Sequence, residues 1–146
     1  MKPFRHILLA TDFSPSSAAA WKRGLALARA CGARVLVVHV VPSLAQAQPV
    51  RWAYREMEAE IRADAQRQLK ALVARAGKAG VRAKGLLLAG TPAHEAIGRA
   101  ARSQKVDLIM VGTHGRTGMA GALIGSVAAR IVATAPCPVL TVRGRR

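Results

Sequence analysis

The sequence predicts an α/β fold built on one parallel sheet. Two observations predict it. Short, nearly continuous apolar runs alternate with longer segments of helical periodicity, in the order β-α-β-α-β-α-β-α-β. The length, 146 residues, suits a single domain spanning 1–146. Alternation of this kind implies a parallel sheet with right-handed crossovers and helices on both faces. With 51 % apolar but only 3 % aromatic residues, the core must be built from Ala, Val, Leu and Ile.

The first strand is Arg5 to Ala10, followed by the loop Thr11-Asp12-Phe13. Ser14 is placed to N-cap a helix, with Pro15 at its first position, where the missing N–H costs nothing. That helix ends near Cys31 at Gly32. Arg34 to Val41 is β-branched and nearly continuous in apolar character, as suits a strand covered on both faces. Residues 42–49 form a loop with two prolines. A long helix from Arg51 to Lys78 follows, with Met57, Ile61, Ala65, Leu69, Leu72 and Ala76 on its apolar face and i,i+4 charge pairs on the other. Gly77 and Gly80 end it. Val81 to Ala89 is a third strand. Thr91 and Pro92 start a helix running to about Gln104. Asp107 to Val111 is the fourth strand, Ser126 to Thr134 the last helix, and Pro138 to Val142 the last strand.

Composition excludes several classes. Cys31 and Cys137 are too few and too far apart for a disulfide framework or a CxxC site, and read as buried apolar residues. The four His show no metal-ligand spacing. No apolar run approaches the ~20 residues of a membrane helix, and no signal peptide is visible, so a cytoplasmic location is expected. The net charge of +16 predicts nonspecific attraction to polyanions. His39 reads as structural, and Trp21 and Trp52 as helix-packing residues.

Parallel doubly wound sheets bind ligands at the carboxyl ends of strands where strand order reverses, which points to Asp12 and Gly112. Gly112, Gly115, Gly118, Gly121 and Gly125 lie within fourteen residues, and Gly125-Ser126 opens a helix. Glycines let several N–H groups turn toward one anion. A helix N-terminus adds free N–H groups and partial positive charge. Ser126 adds a hydroxyl and Arg116 a full charge. Glycine count alone weighs equally a phosphate loop and a plain flexible connection.

The segment matches the universal stress protein signature: Gly, two residues, Gly, nine residues, Gly, then Ser or Thr. Here these are Gly112, Gly115, Gly125 and Ser126. The stretches 7–14, 37–40, 107–112 and 135–143 resemble the same family, so the likeness covers essentially the whole chain. The resemblance implies a Rossmann-like sheet of order 3-2-1-4-5, similar to adenine nucleotide alpha hydrolases, and a homodimer. Members with this glycine pattern bind ATP; those resembling the founding protein lack both.

Carried over by position, Gly115, Gly125 and Ser126 would bind phosphate oxygens, with Val127 N–H nearby. Gly112 and Arg116 would shape and charge the pocket. Asp12 would bond the ribose hydroxyls or help hold a nucleotide-bound Mg²⁺, or else simply cap the first helix. Val40 would meet the adenine edge through its backbone. Ala10, Thr11 and Met110 would line base and sugar, and Thr113 and His114 sit in the loop.

No catalytic residue is assigned. The P-loop GxxxxGK[ST] is absent, so no Lys is placed over the β/γ-phosphates. The expected function is an ATP-dependent stress-response switch or sensor, with at most slow ATPase activity. The alternative is a stress protein acting by partner or nucleic-acid binding without nucleotide. The last strand should be an open edge, suited to pairing with its own copy.

Overall fold

The computed structural model describes residues 3–41, 51–90, 92–114 and 124–144, and the side chains of 51–53 are not described. The expected 42–49 loop, the Thr91 cap, the Trp52 side chain, and Gly115, Arg116, Gly118 and Gly121 lie outside the described residues. The elements are β1 (His6–Ala10), α1 (Pro15–Cys31), β2 (Arg34–Val41), α2 (Arg51–Lys78), β3 (Ala83–Ala89), α3 (Ala93–Ser103), β4 (Leu108–Gly112), α4 (Ser126–Thr134) and β5 (Val139–Val142).

The strands form one parallel sheet of order β3-β2-β1-β4-β5. Side chains alternate across it with period two. Ile7, Leu9, Val35, Val37, Leu108 and Met110 pack toward α1 and α2, against Trp21, Ala28, Leu69 and Ala76. Leu8, Ala10, Leu36, Val38, Ile109 and Val111 pack toward α3 and α4, against Ile97, Ala101, Ala128 and Ile131. β1 is therefore buried along its whole length. Trp21 is buried in the first of these layers, as its packing role requires.

Ser14 caps α1 by accepting the Ser17 N–H at 3.3 Å, and Pro15 opens the helix. Gly32 closes it at φ 64, the left-handed conformation that glycine adopts without steric cost. Several boundaries differ from the sequence expectation. β3 starts at Ala83 because Gly80 and Val81 finish α2 in a turn, with the Val81 N–H donating to the Ala76 carbonyl at 2.9 Å. α3 starts at Ala93, with Pro92 as N-cap and no side-chain cap bond. β4 starts at Leu108 because Asp107 serves as a clasp instead. Its carboxylate accepts the Arg5 N–H at 2.8 Å and the His6 N–H at 3.1 Å. Cys31 and Cys137 are half-buried rather than buried.

The largest departure is in α2. Ala65, Leu69 and Ala76 are buried as expected, but Met57 and Ile61 are 44 % and 41 % exposed. At 1.5 Å per residue, α2 is roughly 42 Å long and α1 only about 25 Å. Residues 54–64 contain no fully buried side chain and form an overhang beyond the packed layer. One of the pairs has the expected i,i+4 spacing, Glu58–Arg62 at 3.4 Å, and a second, Asp64–Arg67 at 3.3 Å, is spaced i,i+3.

Candidate functional site

A cleft of about 500 Å³ opens at the carboxyl ends of β1, β2 and β4. Its position follows from topology. β1 leads to α1 on one sheet face and β4 leads toward α4 on the other, so the chain diverges between them. Nine sequence-assigned residues line it: Ala10, Thr11, Asp12, Val40, Gly112, His114, Gly125, Ser126 and Val127. Thr113 lines it as well.

Met110 does not. Strand alternation turns its side chain toward α1 and α2, where it is 1 % exposed in the core. Val111, the next residue, faces the cleft instead.

The β1 side of the cleft is a tightly bonded turn. The Thr11 N–H donates to the Val38 carbonyl at 2.9 Å. Thr11 Oγ1 accepts the Phe13 N–H at 3.0 Å and lies 3.1 Å from Ser17 Oγ. Asp12 Oδ1 accepts the Ser14 N–H at 3.0 Å, so Asp12 both orders the entry to α1 and borders the cleft. These local bonds hold Phe13 at φ 62, an unusual conformation for a bulky residue.

His39 borders the cleft from β2. Its Nδ1 lies 2.7 Å from the Thr11 carbonyl, which can only accept, so Nδ1 carries the proton and donates. Its ring lies 4.4 Å from that of Phe13. The structural role read from the sequence is present, but so is a place in the cleft wall. Ser17 is likewise a lining residue that the sequence did not single out. The neighbouring Val40 was the available signal for His39, since both stand at the end of β2.

The opposite wall is the start of α4. Gly125 is its N-cap, in extended conformation, and as a glycine makes no side-chain cap bond. Among the described residues no side chain caps the first amide groups of α4, at a terminus that carries partial positive charge. Ser126 and Val127 are both exposed at this end. Gly125 is tied back to the sheet, its N–H donating to the Thr113 carbonyl at 2.5 Å, and Thr113 N–H donates to the Val142 carbonyl at 2.9 Å. His114 N–H donates to Ser16 Oγ at 3.2 Å, and its Nδ1 lies 2.9 Å from Thr113 Oγ1. Val38, Val40, Ile97, Val111 and Ile131 supply an apolar wall.

This arrangement offers, among the described residues, an apolar slot, one carboxylate and a helix start with no side-chain cap. Among the described residues no three or more His, Cys, Asp or Glu gather as a metal-binding group. No helix among them is long and apolar enough to cross a membrane.

Comparison with known proteins gives one consistent answer. The model of the Universal stress protein family matches residues 3–143. A universal stress protein of Thermus aquaticus is 40 % identical over 143 residues, covering 96 % of this chain and 99 % of the relative. The solved structure of universal stress protein UspA from Lactobacillus plantarum superposes with a TM-score of 0.88 at 23 % identity, covering 96 % of this chain and 98 % of that one. A universal stress protein solved in complex with cAMP superposes with a TM-score of 0.70 at 26 % identity, covering 97 % and 98 %. With its fold, its glycine spacing and its full-length match in agreement, the chain belongs to the universal stress protein family.

Proposed function

We propose that residues 1–146 act as one domain that binds an adenine nucleotide, ATP above all, as a stress-response switch. The observation that carries this reading is the single cleft bordered by Asp12 on one side and the glycine-capped start of α4 on the other. An anion at that helix start gains hydrogen bonds and a favourable dipole. The relative of known structure with bound cAMP supports the same ligand class.

The apolar wall takes the base, with Val40 offering backbone groups to its edge. Asp12 accepts hydrogen bonds from ribose hydroxyls. The N–H groups of Ser126 and Val127, with the Ser126 hydroxyl, hold phosphate oxygens. Gly115 completes that end by the family signature, and Arg116, next in sequence, adds charge to it. Asp12 is the one carboxylate among the described lining residues. Mg²⁺ therefore fits only as a companion of the phosphates, which suits its preference for phosphate plus one or two carboxylates. It would neutralise phosphate charge there.

No lysine and no second carboxylate lines the described cleft, so the site favours binding over phosphoryl transfer. Calorimetry with ATP, ADP, AMP and cAMP, and mass analysis of ligand released from purified protein, test the reading. Gly125→Val with Ser126→Ala should abolish binding in a folded protein; unchanged affinity would overturn it. Turnover above roughly one per second would make the protein an enzyme rather than a switch.

We also propose a cytoplasmic homodimer through β5. This strand pairs only with β4 in the sheet and ends it. Leu140 on it and Val132 on α4 are 44 % and 52 % exposed. Pairing of β5 with its copy would cover the edge. A monomer in sedimentation at micromolar concentration would contradict this.

A further inference from the structure

A second cavity, about 780 Å³, lies between α1 and α2 and meets the first at Thr11 and Ser17. Phe13, Trp21, Leu25 and Leu72 contribute its apolar surface. Lys22, Arg29 and Arg75 stand along it, and no acidic residue lines it. Lys22 and Arg29 are two helical turns apart on α1, roughly 10 Å. Cations spread along a groove suit an elongated acidic partner better than a ligand with a single charged head.

The chain carries such a segment itself. The α2 overhang, residues 54–64, holds Glu56, Glu58, Glu60 and Asp64, four of the seven acidic residues in the chain, against Arg55 and Arg62. Within the helix Arg62 is held by Glu58, and the exposed Asp64 lies 3.3 Å from Arg67 and accepts from Gln68 Nε2 at 2.8 Å. On the same overhang, Met57 and Ile61 are the exposed large apolar residues.

These two surfaces share one helix stripe. Met57, Ile61, Asp64, Gln68, Leu72 and Arg75 recur at three- and four-residue steps, so they lie on one side of α2. The upper half of that stripe is apolar and acidic, and the lower half borders the basic groove. An antiparallel copy of α2 centred near Gln66 would set Ile61 opposite Leu72, Asp64 opposite Gln68 and Met57 opposite Arg75. The partner's overhang would then run between α1 and α2, with Glu60 opposite Leu72, one turn from Arg75, and its acidic side chains along the wall that carries Lys22. The contact is reciprocal, as a two-fold interface requires.

We propose that the α1–α2 groove is a self-association site, filled by the acidic α2 overhang of a second copy, separate from β5.

Sedimentation at moderate salt, without nucleotide, reads the outcome. Glu60→Arg with Asp64→Arg should weaken self-association at least tenfold, as should Lys22→Glu with Arg75→Glu. Combining all four reversals should restore it. A second readout uses a Cys31→Ser, Cys137→Ser background. Ile61→Cys protein mixed with Leu72→Cys protein should form a mixed disulfide dimer on mild oxidation. In one chain these positions are eleven residues apart on a helix, roughly 16 Å, beyond disulfide reach. Unchanged mass in both charge variants with no mixed disulfide would overturn the proposal. So would a variant pair that keeps its mass while losing affinity for a single-stranded oligonucleotide, which would assign the groove to nucleic acid. Circular dichroism confirms that each variant is folded.

Discussion

Ser16 fills the space that a side chain at Gly112 would need. A Cβ at residue 112 would sit 2.6 Å from Ser16 Oγ and 2.8 Å from the Ser16 carbonyl carbon and oxygen. The first glycine of the signature thus lets the first turn of α1 press against the end of β4. Gly112→Ala should destabilise the fold by about 1–3 kcal/mol, the usual cost of overpacking. Urea denaturation measures it. Because Ser16 also accepts the His114 N–H, nucleotide affinity should fall as well.

His39 is expected to act on ligand binding through Thr11. His39→Leu removes the donor to the Thr11 carbonyl and the ring beside Phe13. A lost buried hydrogen bond costs about 1–3 kcal/mol. Part of that loss should appear as weaker ATP binding by calorimetry, because Thr11 and Asp12 border the cleft.

The α4 terminus predicts a graded ligand series. Affinity should rise from adenosine to AMP and on to ATP, as phosphates reach the helix start. Ser126→Ala should reduce ATP affinity by about 1 kcal/mol, the value of one hydrogen bond, and leave adenosine affinity unchanged. Parallel titrations of the two ligands check this.

His6 predicts a pH effect on stability. Its ring is buried, and Nδ1 donates to the Gln104 carbonyl at 2.9 Å. Burial, with the Arg34 charge nearby, lowers its pKa from the ordinary 6.5. The unfolded chain therefore takes up this proton at a higher pH than the folded protein does. The His6 contribution is fully present above about 6.5. It falls as pH drops toward the folded pKa and levels off below it. Urea midpoints measured between pH 7.5 and 5 should decline, and His6→Gln should flatten that slope.

Cys137 should be a sluggish thiol. Burial, and the charge of Asp107, raise its pKa above the ordinary thiol value. The thiolate is the reactive form. In a Cys31→Ala background at pH 8, alkylation of the native protein should be several-fold slower than in denaturant.

The sheet was legible because its signals are local and repeated. Runs such as Arg34–Val41 are nearly continuous in apolar residues, and Ser14-Pro15 and Gly32 mark both ends of α1. Boundaries failed where a residue had a long-range duty. Asp107 reads as a strand start, yet it binds amides a hundred positions away. Most site residues were legible through the glycine pattern and the ends of β1 and β2. Met110 was misplaced because an apolar strand buried on both faces gives no parity signal. Phe13 at φ 62 was hidden for another reason, since that backbone state is imposed by the bonds of Thr11 and Asp12. Helical periodicity showed which side of α2 is apolar, but not that the helix outruns its neighbour.

The Asp107 clasp also bears on how the chain assembles during synthesis. β1 lies at the centre of the sheet, but its β4 neighbour is encoded about a hundred residues later. On the ribosome the first three strands can pair while β1 still shows one raw edge. That edge closes only when Asp107 emerges and takes hold of Arg5 and His6. Nascent chains stalled before residue 107 should therefore be sticky and protease-sensitive, and those released shortly after β4 should not.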